Sequence, residues 1–198
     1  MNFIINFHMS VKKQVGSFFR GSRKFVKWLF KGKSLASHIA FLVFAYVALK
    51  FVLFPGFLFF MGYNDVVAVL SGSMHHQPGS IENTFTGWLV FNGYNESEFS
   101  GWPFIHGLDM GDAVTVVPGN ISVGDVIVYY HDGQMIIHRV INIDEFDGVN
   151  YYTTKGDANP SSFSFELMIP ESRVVGKAGS RVPLIGWPRT AMYYLLGV

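Results

Sequence analysis

Three stretches of this chain hold side chains that together could cut an amide bond. Ser73 lies in "VVAVLSGSMHH" (66–76), where an apolar run breaks into Ser71-Gly72-Ser73-Met74. His138 lies in "MIIHRVINI", inside a strand-like run, and Asp157 in "TTKGDANP", directly after another. A serine hydroxyl attacks an amide carbonyl only when a base removes its proton. Histidine is the commonest such base because its ordinary titration lies nearest neutrality. A carboxylate can then fix the imidazole's tautomer and stabilise the imidazolium. Each residue also has a plain structural explanation. Ser-Gly-Ser makes an ordinary turn, a histidine among isoleucines and valines is commonly a core or strand-edge residue, and an aspartate between Gly and Ala is a turn residue. His75 and His76 have no cysteine or carboxylate beside them, make a poor metal pair and read as loop residues.

The elements around these residues fall into distinct textures. The 198 residues suffice for one domain and an extra segment. Nine of the fifteen basic residues precede residue 51, whereas the first acid is Asp65. Residues 65–198 therefore carry fourteen acids against six basic residues, a net charge of −8. The chain has no cysteine, which excludes disulfides and thiolate chemistry. Residues 37–63 are apolar apart from Lys50 and the edges, long enough for one transmembrane helix, which Pro55-Gly56 should kink or end. A buried core helix is the alternative. The segment 1–36 is too long and basic for the leader of a cleavable signal peptide. Its charge predicts a cytoplasmic N-terminus, with 64–198 outside. It is either a topogenic flank or a helix lying on anionic lipid, and is poorly placed for nucleic acid.

After residue 64, short β-branched and aromatic runs predict a mainly β domain: "DVVAVL", "AVTVVP", "DVIVYYH", "QMIIHRVINI", "NYYTTKG" and "RVVGKAG". Asp132-Gly133 between two of them is a hairpin signal. Residues 75–110 read as an irregular insertion with little periodicity. Asn95 and Asn120 begin glycosylation sequons, in keeping with an external domain. The C-terminal "VPLIGWPRTAMYYLLGV" ends in an apolar tail, Ala191–Val198, whose eight residues are too few to span; it packs on the β domain or dips into the membrane interface, the second being the expectation.

The order "SGSM" after an apolar span, then "GDVIVYY", "IIHRVINI", "TKGDANP" and "VVGK", resembles signal peptidase I. His138 stands where bacterial members carry lysine, so the likeness is to the archaeal and endoplasmic-reticulum branch. The resemblance implies a signal-peptidase-like β-rich catalytic domain behind one N-terminal transmembrane helix, in the cell membrane. It implies a serine endopeptidase that removes signal peptides from exported preproteins, cutting after small residues at −1 and −3. Ser73 would be the nucleophile, His138 the base and Asp157 a functional carboxylate. The Ser73 N–H and the Ser71 hydroxyl would bind the oxyanion. Gly72 would permit the tight turn, and Met74 would anchor the nucleophile beside the bilayer. No metal or organic cofactor is called for; preproteins, the bilayer and neighbours in the secretion machinery are the implied partners, and nucleic acid is not. The family's second aspartate, six positions after Asp157, is Phe163 here, which makes Glu166 the rival partner for His138. His75-His76 replaces the family's Glu-Pro. These departures motivate an alternative, a catalytically silent anchored homologue serving as a subunit or binding module. A third reading is a surface domain in which Ser-Gly-Ser is only a turn.

Overall fold

The computed structural model describes residues 22–76 and 84–197. The expectation for the basic segment thus falls partly outside them. The chain divides into two compact units, Met1–Phe57 and Leu58–Val198.

In the first unit, helix α1 covers 22–31 and α2 covers Leu35–Ala48. Ser34 caps α2: its hydroxyl accepts from the Ser37 N–H at 3.2 Å, and the Ser37 hydroxyl donates back to the Ser34 carbonyl at 2.8 Å. Phe30 packs edge-on against Phe41 and Phe44. Arg23, Lys27 and Lys31 repeat every four residues and so share one face of α1. The α2 helix continues through a π-helical turn, Leu49–Leu53, into α3, Phe54–Met61.

Leu35–Met61 is therefore one helix of 27 residues with mean hydropathy 2.1, long and apolar enough to cross a bilayer. It begins and ends two residues before the expected 37–63, and Pro55 neither ends it nor breaks its course. Proline brings no N–H to the preceding turn, and that turn widens so that the Phe54 N–H reaches the Leu49 carbonyl five residues back. Lys50 sits in the widened turn, its ammonium 5.8 Å and 5.5 Å from the rings of Tyr46 and Phe51. Leu42 and Leu53 are more than half exposed, unlike the side chains of a buried core helix.

The second unit is built on a seven-stranded antiparallel sheet in the order β1-β2-β7-β3-β4-β5-β6. The strands are β1 (Asp65–Ala68), β2 (Ala113–Val117), β3 (Val126–His131), β4 (Gln134–Phe146), β5 (Val149–Lys155), β6 (Ile169–Pro170) and β7 (Val174–Val182). All six expected runs form strands; the two-residue β6 carries too little sequence to show itself. Asp132 and Gly133 both take positive φ, the pairing demanded by a two-residue turn that matches strand twist, and join β3 to β4. Asp147-Gly148 repeats the device between β4 and β5. Val126 and Ile127, neighbours on β3, enter two different apolar clusters, so the sheet is covered on both faces.

Among the described residues helices hold more than strands do, partly because the insertion is not irregular. Its residues 77–83 lie outside the described ones, but α4 (Thr84–Phe91) and α5 (Glu96–Phe99) enclose buried Phe85, Leu89 and Phe99. Trp88, Tyr94, Trp102 and Ile105 flank this small core, and the Tyr94 hydroxyl ties it to β4 at the Ile141 carbonyl, 2.7 Å away. The last helix, α6 (Trp187–Leu196), packs on the β domain. Thr190 is buried and donates to the Val69 carbonyl, and the Tyr194 hydroxyl donates to that of Leu70. Its opposite side, including Leu195 and Leu196, stays exposed.

Candidate active site

The strand β1 runs on past Ala68, with Val69 paired to Gly111 and Asp112, and then turns at Ser71–Met74. Met74 fixes this turn. It is fully buried with Val69, Leu108, Val114, Val126 and Ala178, so it anchors the nucleophile turn through the protein core, and its side chain has no face left for lipid. Gly72 is not needed for the bend: it avoids positive φ, and an added Cβ would meet nothing closer than 4.0 Å.

The turn aims Ser73 Oγ at His138 Nε2, 2.9 Å away. His138, 5% exposed in the middle of β4, is held from its other side by Glu166, whose Oε1 accepts from Nδ1–H. That carboxylate is itself fully buried in a 3-10 turn, Ser164–Glu166, and its Oε2 accepts the Phe163 N–H at 2.7 Å. Thr154 donates to Glu166 at 3.4 Å and lies 3.2 Å from the Tyr129 hydroxyl. With Glu166 as acceptor, Nδ1 must carry the proton and Nε2 the lone pair. This is the tautomer that accepts a serine proton. Ser71 Oγ lies 3.1 Å from Ser73 Oγ, and the Ser73 N–H makes no hydrogen bond among the described residues.

Asp157, expected as a catalytic carboxylate, does not touch His138. It is almost fully buried and accepts from Arg139 Nε at 2.9 Å and Nη2 at 2.7 Å, and it contacts His76 Nε2 at 2.9 Å. The strand's alternation explains this, since His138 and Arg139 are consecutive on β4 and face opposite sides. Burial would raise the Asp157 pKa, but the hydrogen bonds from His76 and Arg139, with the Arg139 charge, hold it below the usual carboxylate range. Arg139 also donates to the carbonyls of Pro103, Gly124 and Phe104, and its guanidinium lies 4.7 Å from the Phe85 ring centre. His76 lies tilted against the same ring, 4.6 Å between centres. Asp157, Arg139 and His76 thus tie the insertion to the nucleophile turn, and His76 is no free loop residue. His75 is likewise engaged, with Asp109 Oδ1 at 2.6 Å; that hydrogen bond leads the influences holding Asp109 below its ordinary pKa.

Arg139 and Lys155 do not stand out as functional residues in the sequence. A charged residue inside each apolar strand run was the available signal, because a mid-strand charge in a sheet covered on both faces needs a dedicated partner. Among the described residues, no three His, Asp or Glu side chains gather as a metal site. No family model matches the chain, and no curated protein matches it significantly.

Proposed function

We propose that this chain is a membrane-anchored serine endopeptidase of the signal peptidase I kind, with Ser73 as nucleophile, His138 as general base and Glu166 as the acid that orients it. The observation that carries the reading is the unbroken hydrogen-bonded line from Ser73 Oγ through both ring nitrogens of His138 to a buried carboxylate. Polar turns and core histidines form no such line by default. The Ser73 hydroxyl would attack the scissile carbonyl while its proton passes to Nε2. The Ser73 N–H and Ser71 hydroxyl lie beside the attacking oxygen, where they can donate to the oxyanion. The imidazolium would then give its proton to the leaving amine. Water would hydrolyse the resulting ester on Ser73 by the same proton route in reverse. With Glu166 available as a carboxylate partner for His138, the motive for a silent homologue weakens.

The span Leu35–Met61 gives the enzyme its anchor, and Ser73 follows twelve residues after Met61. A tether that short would limit how far the nucleophile can stand from the membrane surface, where a signal peptide lodged in lipid would present its cleavage site. The basic face of α1, with exposed Phe25, Val26 and Phe30, suits the headgroups of anionic lipid on the cytoplasmic side. To test the proposal, purified full-length protein in nonionic detergent is incubated with several preproteins and the products are read by mass spectrometry. Two fragments meeting after a small residue are expected. Intact preproteins throughout, with a folded enzyme, would refute it.

A further inference from the structure

Lys155 ends β5 and is 2% exposed, yet no step above uses it. Its ammonium donates to the carbonyls of Gly156 at 2.9 Å and Asn159 at 2.8 Å, and at 3.4 Å to that of Asp157. An ammonium has three donors, and here all three go to one four-residue segment. The segment presses on the reacting groups. The Ala158 N–H donates to the Ser73 carbonyl at 2.8 Å, and the Asp157 N–H to Met74 Sδ at 3.5 Å. A Cβ added at Gly156 would stand 2.9 Å from both His138 Nε2 and the Ser73 carbonyl. A small displacement of 156–159 is therefore felt directly at the Ser73–His138 hydrogen bond.

A buried ammonium is expensive, and its usual compensation is a carboxylate. The two carboxylates that act on Lys155, Asp157 and Glu166, are committed to Arg139 with His76 and to His138 respectively. The Arg139 charge opposes it. On the insertion side the Trp88 ring of α4 covers the ammonium at 5.1 Å. We infer that Lys155 is a positioning residue: its ammonium clamps segment 156–159 against the nucleophile turn and so holds Ser73 and His138 in register, with Trp88 as the lid that keeps the clamp dry. The inference rests on reading the site as a peptidase centre. Burial also lowers Lys155 from 10.5 to about 8. A neutral amine has one N–H fewer and turns a lone pair toward carbonyl oxygens, so the clamp loosens as pH rises through that value.

The test compares full-length wild type with Lys155→Met in detergent. Turnover of a preprotein is followed from pH 6 to 10, and backbone amide exchange of 157–159 is followed at neutral pH. The clamp predicts that kcat falls about 10–100-fold with KM nearly unchanged, as expected of a sub-ångström misplacement. It predicts amide exchange at least about tenfold faster in 157–159. It also predicts that the alkaline decline of the wild type is absent in the variant. Unchanged exchange, or an identical alkaline decline, overturns the inference. Should Lys155→Met not fold, the wild type decides. Protection of 157–159 must fall in step with activity above about pH 8, and constant protection would overturn the clamp. Faster exchange in the variant beside a wild type that cuts no preprotein would count against the peptidase reading and leave the clamp standing.

Discussion

Replacing Glu166 by Gln keeps the size of the side chain and removes its charge, which isolates what the buried carboxylate does. One oxygen of Glu166 now accepts from His138 Nδ1 and, at 3.4 Å, from the Thr154 hydroxyl, and the other from the Phe163 N–H. An amide can accept at only one of those places and must present its NH₂ to the other. If the amide oxygen stays on Phe163, the NH₂ donates to Nδ1, which moves the ring proton to Nε2 and points it at Ser73. That tautomer cannot take the serine proton. If the oxygen serves His138, the NH₂ is buried against the Phe163 N–H, and the imidazolium has lost its countercharge in either case. A wrong tautomer in a Ser–His–acid arrangement lowers kcat by about 10⁴, worth about 5.5 kcal/mol in the barrier. Glu166→Gln should thus lose about 10³–10⁴ in kcat with a nearly constant KM. Asp157→Asn provides the contrast. It strips a buried arginine of its charge partner, a loss of roughly 3–5 kcal/mol of stability, and loosens the insertion. Its kcat per folded molecule should stay within about tenfold of wild type. The assay is preprotein turnover by folded, monodisperse protein, with thermal unfolding recorded in parallel. Full activity in Glu166→Gln would reduce the centre to a Ser–His dyad. A larger kcat loss in folded Asp157→Asn than in Glu166→Gln would refute the assignment of roles.

Other consequences are open to simpler checks. Ser71→Ala should lower kcat by about 10²-fold if its hydroxyl meets the oxyanion, and an unchanged kcat would remove it from the site. Gly156→Ala puts a methyl 2.9 Å from His138 Nε2 and 2.6 Å from Asn159 Nδ2; turnover should drop at least about 100-fold, and wild-type turnover would contradict the packing. A buried lysine lowered from 10.5 to about 8 is charged at a cost of roughly 3 kcal/mol below that lower value. The unfolded chain binds the extra proton between the two values, so chemical stability should rise from about pH 8 toward 10.5, and the rise should vanish in Lys155→Met. For Asp157, whose pKa is depressed, the sign is the other one: its stabilisation is present above the ordinary carboxylate value and disappears as pH falls through the lowered one. Acid unfolding of Asp157→Asn should lack that component.

What the sequence disclosed and what it hid follow from different physics. Strand alternation, Asp132-Gly133 and the apolar run ending at Met61 are local signals, and each marked its element to within a few residues. Ser73 and His138 stood out because few residue types can do their chemistry. The acid did not stand out, because only the path of the chain between β5 and β6 decides whether Asp157 or Glu166 reaches Nδ1, and the pleat sends Arg139 toward Asp157 on the opposite face. The burial of Met74 was hidden for a similar reason, since an apolar residue beside a span could face lipid or core with equal ease. The helices of the insertion were hidden by the Gly and Asn residues between them, although Phe85 and Leu89 sit four apart and Glu98 follows Asn95 by three, both helical spacings. At Pro55 the local rule was sound, and the chain satisfied it by widening the preceding turn.

The measurement that bears most directly on the account is preprotein cleavage by wild type and by Ser73→Ala, side by side, with circular dichroism and gel filtration to show that both are folded. The account predicts a single cut after a small residue by the wild type and none by the variant, with matching spectra. Cleavage at the same bond by folded Ser73→Ala would contradict it, because the attacking group would then be something other than the Ser73 hydroxyl.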